Sequence, residues 1–221
     1  MISFRDNTGL RPLLHQSQLA RGGFAQMLER LNVHSLKGWL LRAMVHCSGS
    51  YHQPTVESQL GAAYQALEAL TFGYSSHKGT GRVLSQECNA GFFAEAESLV
   101  NNFCRTRGLD RDISDQLAAN IQGLGRRSLK RNILGLVSDT GIGTDDLWPE
   151  GTKLAEGIRD LVERRNKFIH EALVELPPWR LAKDLERIRA IVERSILALL
   201  GWDWSQVSPF AYTHEWLRTE I

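Results

Sequence analysis

The sequence lacks the features that mark membrane, secreted and disulfide-stabilised proteins. No apolar run approaches the roughly 18 residues that suggest a membrane-spanning helix, and the N-terminal residues lack the apolar core of a signal peptide. The three cysteines are odd in number and widely spaced, which argues against a disulfide framework and for a reducing compartment. No stretch has the sustained period-two alternation of a strand. We therefore expect an all-α, cytoplasmic protein without a membrane anchor.

Neither basic nor acidic residues are in clear excess. Lys and Arg number 26 and Asp and Glu 25, so the net charge of +1 gives no global indication of nucleic-acid binding. Lysine is scarce, however, with 6 Lys against 20 Arg. Arginine is the better residue for bidentate phosphate contacts and for stacking on bases. The bias permits RNA binding, but GC-rich genomes favour arginine too, so both explanations stay open.

Metal-ligand and nucleophile patterns are also missing. His46 and Cys47, taken with the other two cysteines, do not have zinc-ligand spacing, so buried thiols are the simpler interpretation. No Ser/His/Asp or Cys/His arrangement can be assembled with any specificity. We therefore predict no metal and no cofactor.

Hydrophobic periodicity predicts an up-and-down helical bundle between two less regular ends. Residues 1–33 are predicted to form an irregular arm or a short helix, residues 34–202 the bundle, and residues 203–221 an aromatic tail that packs back on it. Ser35 is the predicted N-cap of the first bundle helix, and the glycine- and serine-rich residues 73–81 are a predicted loop. Residues 82–107 are ambiguous. The predicted bundle helices are 36–47, 55–72, 110–124, 128–137, 151–174 and 179–200.

The helix predicted at 151–174 carries the most chemical information. Arg165 lies in the middle of its apolar stripe, and an arginine is almost never buried without a partner. Asn166 and His170 are four residues apart, so they stack on one flank of the same helix. A charged, an amide and an imidazole side chain therefore cluster at the edge of a hydrophobic seam. The stripe consists of Leu154, Ile158, Leu161, Val162, Phe168, Ile169 and Ala172.

The order Arg165, Asn166, three residues, then His170 resembles the R-x4-H signature, in its RNxxxH form, of the HEPN superfamily (higher eukaryotes and prokaryotes nucleotide-binding). The resemblance covers roughly residues 36–202, and the pattern is similar to the HEPN domain of ApeA-type antiphage proteins. It implies a dimerising helical bundle that acts on RNA as a metal-independent endoribonuclease, in phage defence or as a toxin. A regulatory partner protein from a neighbouring gene is a further expectation. Inactive HEPN domains serve as dimerisation modules or bind nucleotides or partners, so that alternative stays open.

The resemblance assigns roles to the motif residues. His170 would transfer a proton, Arg165 would stabilise the negative charge of the phosphorane-like transition state, and Asn166 would orient the imidazole or cap a helix end. The implied products carry a 2′,3′-cyclic phosphate and a 5′-hydroxyl. Arg165 and His170 lie about 140° apart around the helix. A second subunit could supply the complementary group, so we expect a homodimer.

Two further predictions concern the surroundings of the motif. In the non-catalytic alternative, Arg165 pairs with a carboxylate inside the bundle, with Glu68 as the candidate, and His170 is a surface residue. The densest basic cluster is 126–131, and such a charge run is usually just a solvated face. If the bundle binds RNA, the predicted phosphate contacts are Arg126, Arg127, Lys130, Arg131, Arg164 and Lys167.

Overall fold

The computed structural model describes residues 23–171, 177–202 and 215–219, and this part of the chain is helical, as predicted. Within it no strand is formed, apart from one isolated antiparallel bridge between Arg82 and Arg126. Some side chains inside the helices lie outside the described set: Phe24, Gln86, Gln122, Leu124, His170, Glu171, Glu215 and Trp216. The helices are α1 (Gly23–Val33), α2 (Lys37–Ser50), α3 (Val56–His77), α4 (Gln86–Arg107), α5 (Arg111–Leu124), α6 (Leu129–Thr140), α7 (Leu154–Glu171), α8 (Pro178–Leu199) and α9 (Glu215–Arg218).

Helix α3 lies at the centre of the bundle and contacts α2, α6 and α8. Its start is fixed by a capping box, in which Thr55 Oγ1 accepts from the Ser58 amide at 3.2 Å and Ser58 Oγ accepts from the Thr55 amide at 3.3 Å. Leu60, Leu67 and Leu70 are fully buried along it. Burial of these side chains against three neighbouring helices stabilises the core.

Glycine at position 73 explains why α3 runs past its predicted end at residue 72. The Trp39 ring of α2 lies against Gly73 so closely that a Cβ there would overlap it. This contact buries part of the indole and favours continued helix, although glycine has a low helix propensity. The loop predicted for residues 73–81 is therefore wrong over its first half, because α3 ends at His77.

The start of α2 also differs from the prediction. Leu36 is the N-cap and makes no side-chain capping bond, while the Ser35 hydroxyl lies 3.4 Å from His77 Nε2. The Leu36 amide instead donates to His34 Nδ1 at 3.1 Å. The predicted cap is wrong because Leu36, at 3% exposure, is held in the core.

Helix α8 combines a buried apolar face, including Ile188 and Ile191, with arginines that tie distant segments together. Arg187 donates to the Leu147 carbonyl at 2.7 Å and to the Leu217 carbonyl at 3.1 Å. Arg189 donates to the Ser50 carbonyl at 2.7 Å. These charge-assisted bonds satisfy carbonyl groups that burial would otherwise leave without donors.

A third arginine of this kind, Arg194, makes a bidentate pair with Asp146 at 2.6 and 2.5 Å and also donates to the Gly143 carbonyl at 2.6 Å. The connector between α6 and α7 is thus attached to α8 through its backbone and a carboxylate. This attachment fixes the start of α7 relative to the core.

Helices α4 and α5 pack mainly on each other. The Ser114 hydroxyl donates to Asn101 Oδ1 at 2.8 Å between them. At the base of the hairpin, the Val83 amide donates to the Gly125 carbonyl at 3.0 Å and the Arg127 amide donates to the Gly81 carbonyl at 2.9 Å. These two backbone bonds place Arg127 at the start of α6.

The two ends of the chain are described only in part. The predicted arm contributes α1, whose Leu31 is buried in the core, and residues 1–22 lie outside the described residues. In the predicted tail, Leu217 is fully buried, whereas residues 203–214 and 220–221 lie outside that set. Among the described helices, none is long and apolar enough to cross a membrane.

Candidate functional site

Helix α7 presents its motif at the surface end of an apolar stripe. Ile158 and Leu161 are fully buried, and the Tyr64 hydroxyl of α3 donates to the Leu161 carbonyl at 3.2 Å. About two turns after Leu161, Phe168 is half-buried and lies 3.8 Å from the position of a Cβ at Gly61. Packing against α3 therefore sets the rotation of α7 and the direction of its polar side chains.

Arg165 pairs with Glu68 of α3. Its Nε donates to Glu68 Oε1 at 2.7 Å and its Nη2 contacts the same oxygen. The side chain of Arg165 is 19% exposed and that of Glu68 is 37% exposed, so the pair lies at the edge of the core and not within it. The pairing of Arg165 with Glu68, which was predicted for the non-catalytic alternative, is confirmed, whereas the surface position predicted for His170 concerns a side chain outside the described residues.

Asn166 binds the guanidinium of Arg165. Its Oδ1 accepts from Arg165 Nη1 at 3.0 Å, a bond between neighbouring side chains of α7. The amide thus fixes the guanidinium from a second side. The side chain of His170 lies outside the described residues, although its backbone belongs to α7. The predicted role of Asn166 towards the imidazole stays a prediction.

The Arg165–Glu68 pair borders an open groove of about 440 Å³, here called the Trp39 groove. Helices α2, α3 and α7 and the start of α6 form its walls. Its lining side chains include Trp39, Arg42, His46, Gln65, Glu68, Phe72, Arg127, Leu129, Asn132 and Arg165.

Aromatic and cationic groups lie side by side on the α2 and α3 walls of the Trp39 groove. Arg42 is exposed and its guanidinium lies 5.1 Å from the centre of the Trp39 ring. Phe72 meets Trp39 edge to face, with ring centres 5.2 Å apart, and is itself 50% exposed. Trp39, Arg42 and His46 follow one another at three and four residues, so one face of α2 carries all three.

One polar atom of the groove has no protein partner. Asn132 Oδ1, on the first turn of α6, is buried and accepts no hydrogen bond from the described residues. Buried amide oxygens are usually paired, and an unpaired one costs about 1–3 kcal/mol. A ligand or water that donates to this oxygen would remove that cost.

Arg164 forms an ion pair with a buried carboxylate of the same chain. Its Nε and Nη2 donate to the two carboxylate oxygens of Asp184 at 2.5 and 2.8 Å, and Asp184 is 3% exposed. Burial alone would lower the pKa of Arg164, but the hydrogen bond and charge of Asp184 raise it. The predicted phosphate contact of Arg164 stays a prediction, and a phosphate there would compete with Asp184.

Of the other residues predicted to contact RNA, only one lines the groove. Arg127 lines the Trp39 groove, and Lys130 lies half-buried one turn along α6. Arg126 and Arg131 are exposed outside the lining, as is Lys167 on α7. Of the basic cluster, the fold therefore brings Arg127 to the groove that also contains Arg165.

Sequence reasoning missed the aromatic side of this site. Trp39, Arg42 and Phe72 were not candidates, and His46 was considered only as a metal ligand. The spacing 39, 42, 46 on a helix was the available signal, but it does not say which partner helix faces it. In the described residues no group of His, Cys, Asp or Glu could hold a metal ion.

Comparisons with family models, curated proteins and solved structures found no significant match to this chain.

Proposed function

We propose that this protein is a metal-independent endoribonuclease of the HEPN type, with Arg165 and His170 as its catalytic residues. The observation that carries the proposal is the setting of Arg165. Its guanidinium borders an open groove and is fixed from two sides by Glu68 and Asn166. A fixed donor costs little reorganisation when negative charge develops beside it.

The hydrogen-bond inventory of Arg165 supports this role. A guanidinium has five N–H groups. Hydrogen bonds to Glu68 and Asn166 use that of Nε and one of Nη1, and Nη2 makes an ion-pair contact with Glu68 that occupies a third. Two N–H groups are therefore left without a partner among the described residues. They suit the two non-bridging oxygens of a phosphodiester, which arginine binds in bidentate fashion.

The reaction would need only proton transfer and charge stabilisation. The ribose 2′-oxygen attacks phosphorus while its proton passes to a base, and the P–O5′ bond breaks as the 5′-oxygen takes up a proton. Cleavage leaves a 2′,3′-cyclic phosphate and a 5′-hydroxyl. We assign the proton transfer to His170, because an imidazole titrates near neutral pH, and the phosphorane charge to Arg165.

The proposal includes a homodimer and a biological setting. Because Arg165 and His170 lie about 140° apart around α7, a second copy would complete each site. A cytoplasmic role in phage defence or as a toxin, with a regulatory protein from a neighbouring gene, belongs to the same proposal.

The test compares cleavage of a labelled RNA pool, with EDTA present, by the wild type, Arg165→Ala and His170→Ala. Arg159→Ala is the matched control, because Arg159 lies on α7 in exposed ion pairs with Asp160 and Glu163. We expect at least about a hundredfold loss for both motif variants and none for the control. Full cleavage by purified His170→Ala protein would overturn the proposal.

A second candidate function is a non-catalytic HEPN module that dimerises or binds a nucleotide or partner protein. The specific observation in its favour is the Arg165–Glu68 ion pair, since an arginine whose charge is already balanced can serve the fold alone. In that case the wild type cleaves no RNA pool. Substitution of Arg165 would change dimer stability or ligand binding without any effect on RNA integrity.

A further inference from the structure

We infer that the Trp39 groove binds one nucleotide of single-stranded RNA, with the base against Phe72 and the backbone phosphate between Arg42 and Arg127. The choice of RNA as the ligand rests on the proposed function. The proposal adds residues on α2, α3 and the α6 start that the HEPN-like motif does not contain.

The aromatic wall provides a surface for a base. Phe72 is 50% exposed even though its ring edge is supported by Trp39 at 5.2 Å. A half-exposed phenyl ring on a rigid helix, backed by an indole, is the kind of platform on which unpaired bases stack. Stacking needs no particular base, because every base has a π-face, so this wall would accept any nucleotide.

Charge in the Trp39 groove favours an anion. Arg42, Arg127 and Arg165 line it together with His46, and Glu68, the one carboxylate in that lining, is already paired with Arg165. Neither Arg42 nor Arg127 makes an ion pair with the described residues, and Arg42 instead lies over the Trp39 ring. Two arginines without carboxylate partners can each contact a backbone phosphate.

Asn132 provides the groove with an amide group. It is one of the lining residues, its Oδ1 accepts no hydrogen bond from the described residues, and a rotation of the side chain would present this oxygen to a ligand. Exocyclic amines and ring N–H groups of bases are donors that an amide oxygen accepts on the Watson–Crick edge. A double helix hides those edges, so the arrangement favours an unpaired nucleotide.

The groove also connects to the proposed reaction centre. Arg165 lines it beside Glu68, and Trp39 and Arg42 of α2 line it too. A strand held with one base against Phe72 would place a neighbouring phosphodiester within the same groove as Arg165. Phe72 and Arg42 would then position the substrate, and they would not act on the reacting atoms.

The test measures binding independently of cleavage. A fluorescein-labelled, 2′-O-methyl single-stranded RNA of about ten nucleotides cannot be cut by 2′-oxygen attack. Its anisotropy is followed with the wild type, Phe72→Ala, Phe72→Tyr, Arg42→Ala and Arg127→Ala. We expect about tenfold weaker binding for Phe72→Ala, recovery in Phe72→Tyr, and weaker, less salt-dependent binding for both arginine variants.

Phe103 and Arg107 provide matched controls. Phe103 is 52% exposed on α4, and the Arg107 guanidinium lies 5.9 Å from its ring centre, outside the groove. Phe103→Ala and Arg107→Ala should bind the oligonucleotide like the wild type. Thermal melts check that every variant is folded, since Arg42, Phe72, Phe103 and Arg107 are exposed and Arg127 is half-buried.

The outcomes separate this proposal from the nuclease proposal. Unchanged binding by Phe72→Ala, equal loss in Phe103→Ala, or equal affinity for a duplex of the same sequence would overturn the groove proposal, whatever the wild type cleaves. Loss of binding in Phe72→Ala together with no cleavage of any RNA by the wild type would uphold the groove and remove the nuclease.

Discussion

Arg165 of α7 donates through Nε to Oε1 of Glu68 on α3 at 2.7 Å, so that two residues 97 positions apart in the sequence join the two helices. The pair sits beside the fully buried Leu67 and Leu161 but is open to solvent on its other side. At this boundary solvent screens the charge of the guanidinium, so the fold tolerates it, and the carboxylate holds the guanidinium in one orientation. The first prediction follows from this position.

Replacing Glu68 by Gln should cost little stability. The carboxylate is more than a third exposed, so solvent screening limits the loss to under about 1 kcal/mol in the free energy of unfolding, measured by urea denaturation. The rate of RNA cleavage should fall strongly even though the free energy of unfolding changes little, since Arg165 loses the carboxylate that orients it. Glu163→Gln, in the exposed pair with Arg159, is the control. A large loss of stability with unchanged cleavage would instead support a purely structural arginine.

Mixing inactive variants should restore activity if each site uses two subunits. Arg165→Ala and His170→Ala copies would form mixed dimers in which one site has both intact residues. Random mixing makes about half of the dimers mixed, each with one site of two, so cleavage should recover to about a quarter of the wild-type rate.

The control for that mixing experiment uses Arg165→Ala protein from two separate preparations, which should stay inactive. Sedimentation of differently labelled copies establishes that mixed dimers form. Mixed dimers without activity would show that each site lies within one subunit.

The Glu193 carboxyl should make stability depend on pH. Burial raises its pKa to about 7, although the hydrogen bond from the Tyr51 hydroxyl at 2.6 Å lowers it. Glu186 also raises this pKa and Arg189 lowers it. The folded state therefore retains a proton that the unfolded chain releases near pH 4.5, and stability falls as the pH rises from about 4.5 to 7.

Glu193→Gln should remove this dependence, because the amide keeps an oxygen that accepts from Tyr51 and carries no charge. At pH 8 we expect the variant to be more stable than the wild type by about 1–3 kcal/mol, and at pH 4 to match it. Urea unfolding at both pH values is the measurement. Glu97→Gln, an exposed residue of α4, should show no such difference. Equal stabilities at pH 8 would contradict the prediction.

Gly73→Ala should destabilise the protein and disturb the groove together. The new methyl group would overlap the Trp39 ring, and displacing that ring should cost about 1–3 kcal/mol. Gly91→Ala on α4 has open space around its Cβ and should be neutral or gain up to about 1 kcal/mol from helix propensity. Thermal unfolding of both variants checks the contrast, and similar melting temperatures would count against the contact.

The sequence was a good guide wherever one helix determined the outcome. Periodicity predicted most of the helices, although residues 82–107, which contain α4, were ambiguous, and Thr55 marked the start of α3. The place of Arg165 in an apolar stripe indicated that it needs a partner, and Glu68 was the candidate because it lies beside the apolar face of its own helix. The end of α3 was not predictable in this way, because the glycine at 73 is held in a helix by Trp39, which comes from another helix. Local propensity contains no information about that contact.

The Trp39 groove could not be predicted for the same reason. Arg42, Phe72 and Arg127 are separated by 30 and 55 positions, and only the packing of α2, α3 and α6 places them together. Each residue taken alone reads as an ordinary surface side chain. Their shared chemistry is a property of the tertiary structure.

The arginines of α8 also have a consequence for the order in which the chain can fold during synthesis. Arg187, Arg189 and Arg194 bond to carbonyl groups that precede them by 40, 139 and 51 positions. A nascent chain still attached to the ribosome at α7 has made all of these acceptors and none of the donors. The carbonyl groups at the end of α2 and in the connector before α7 can therefore accept these arginine hydrogen bonds only after α8 has emerged.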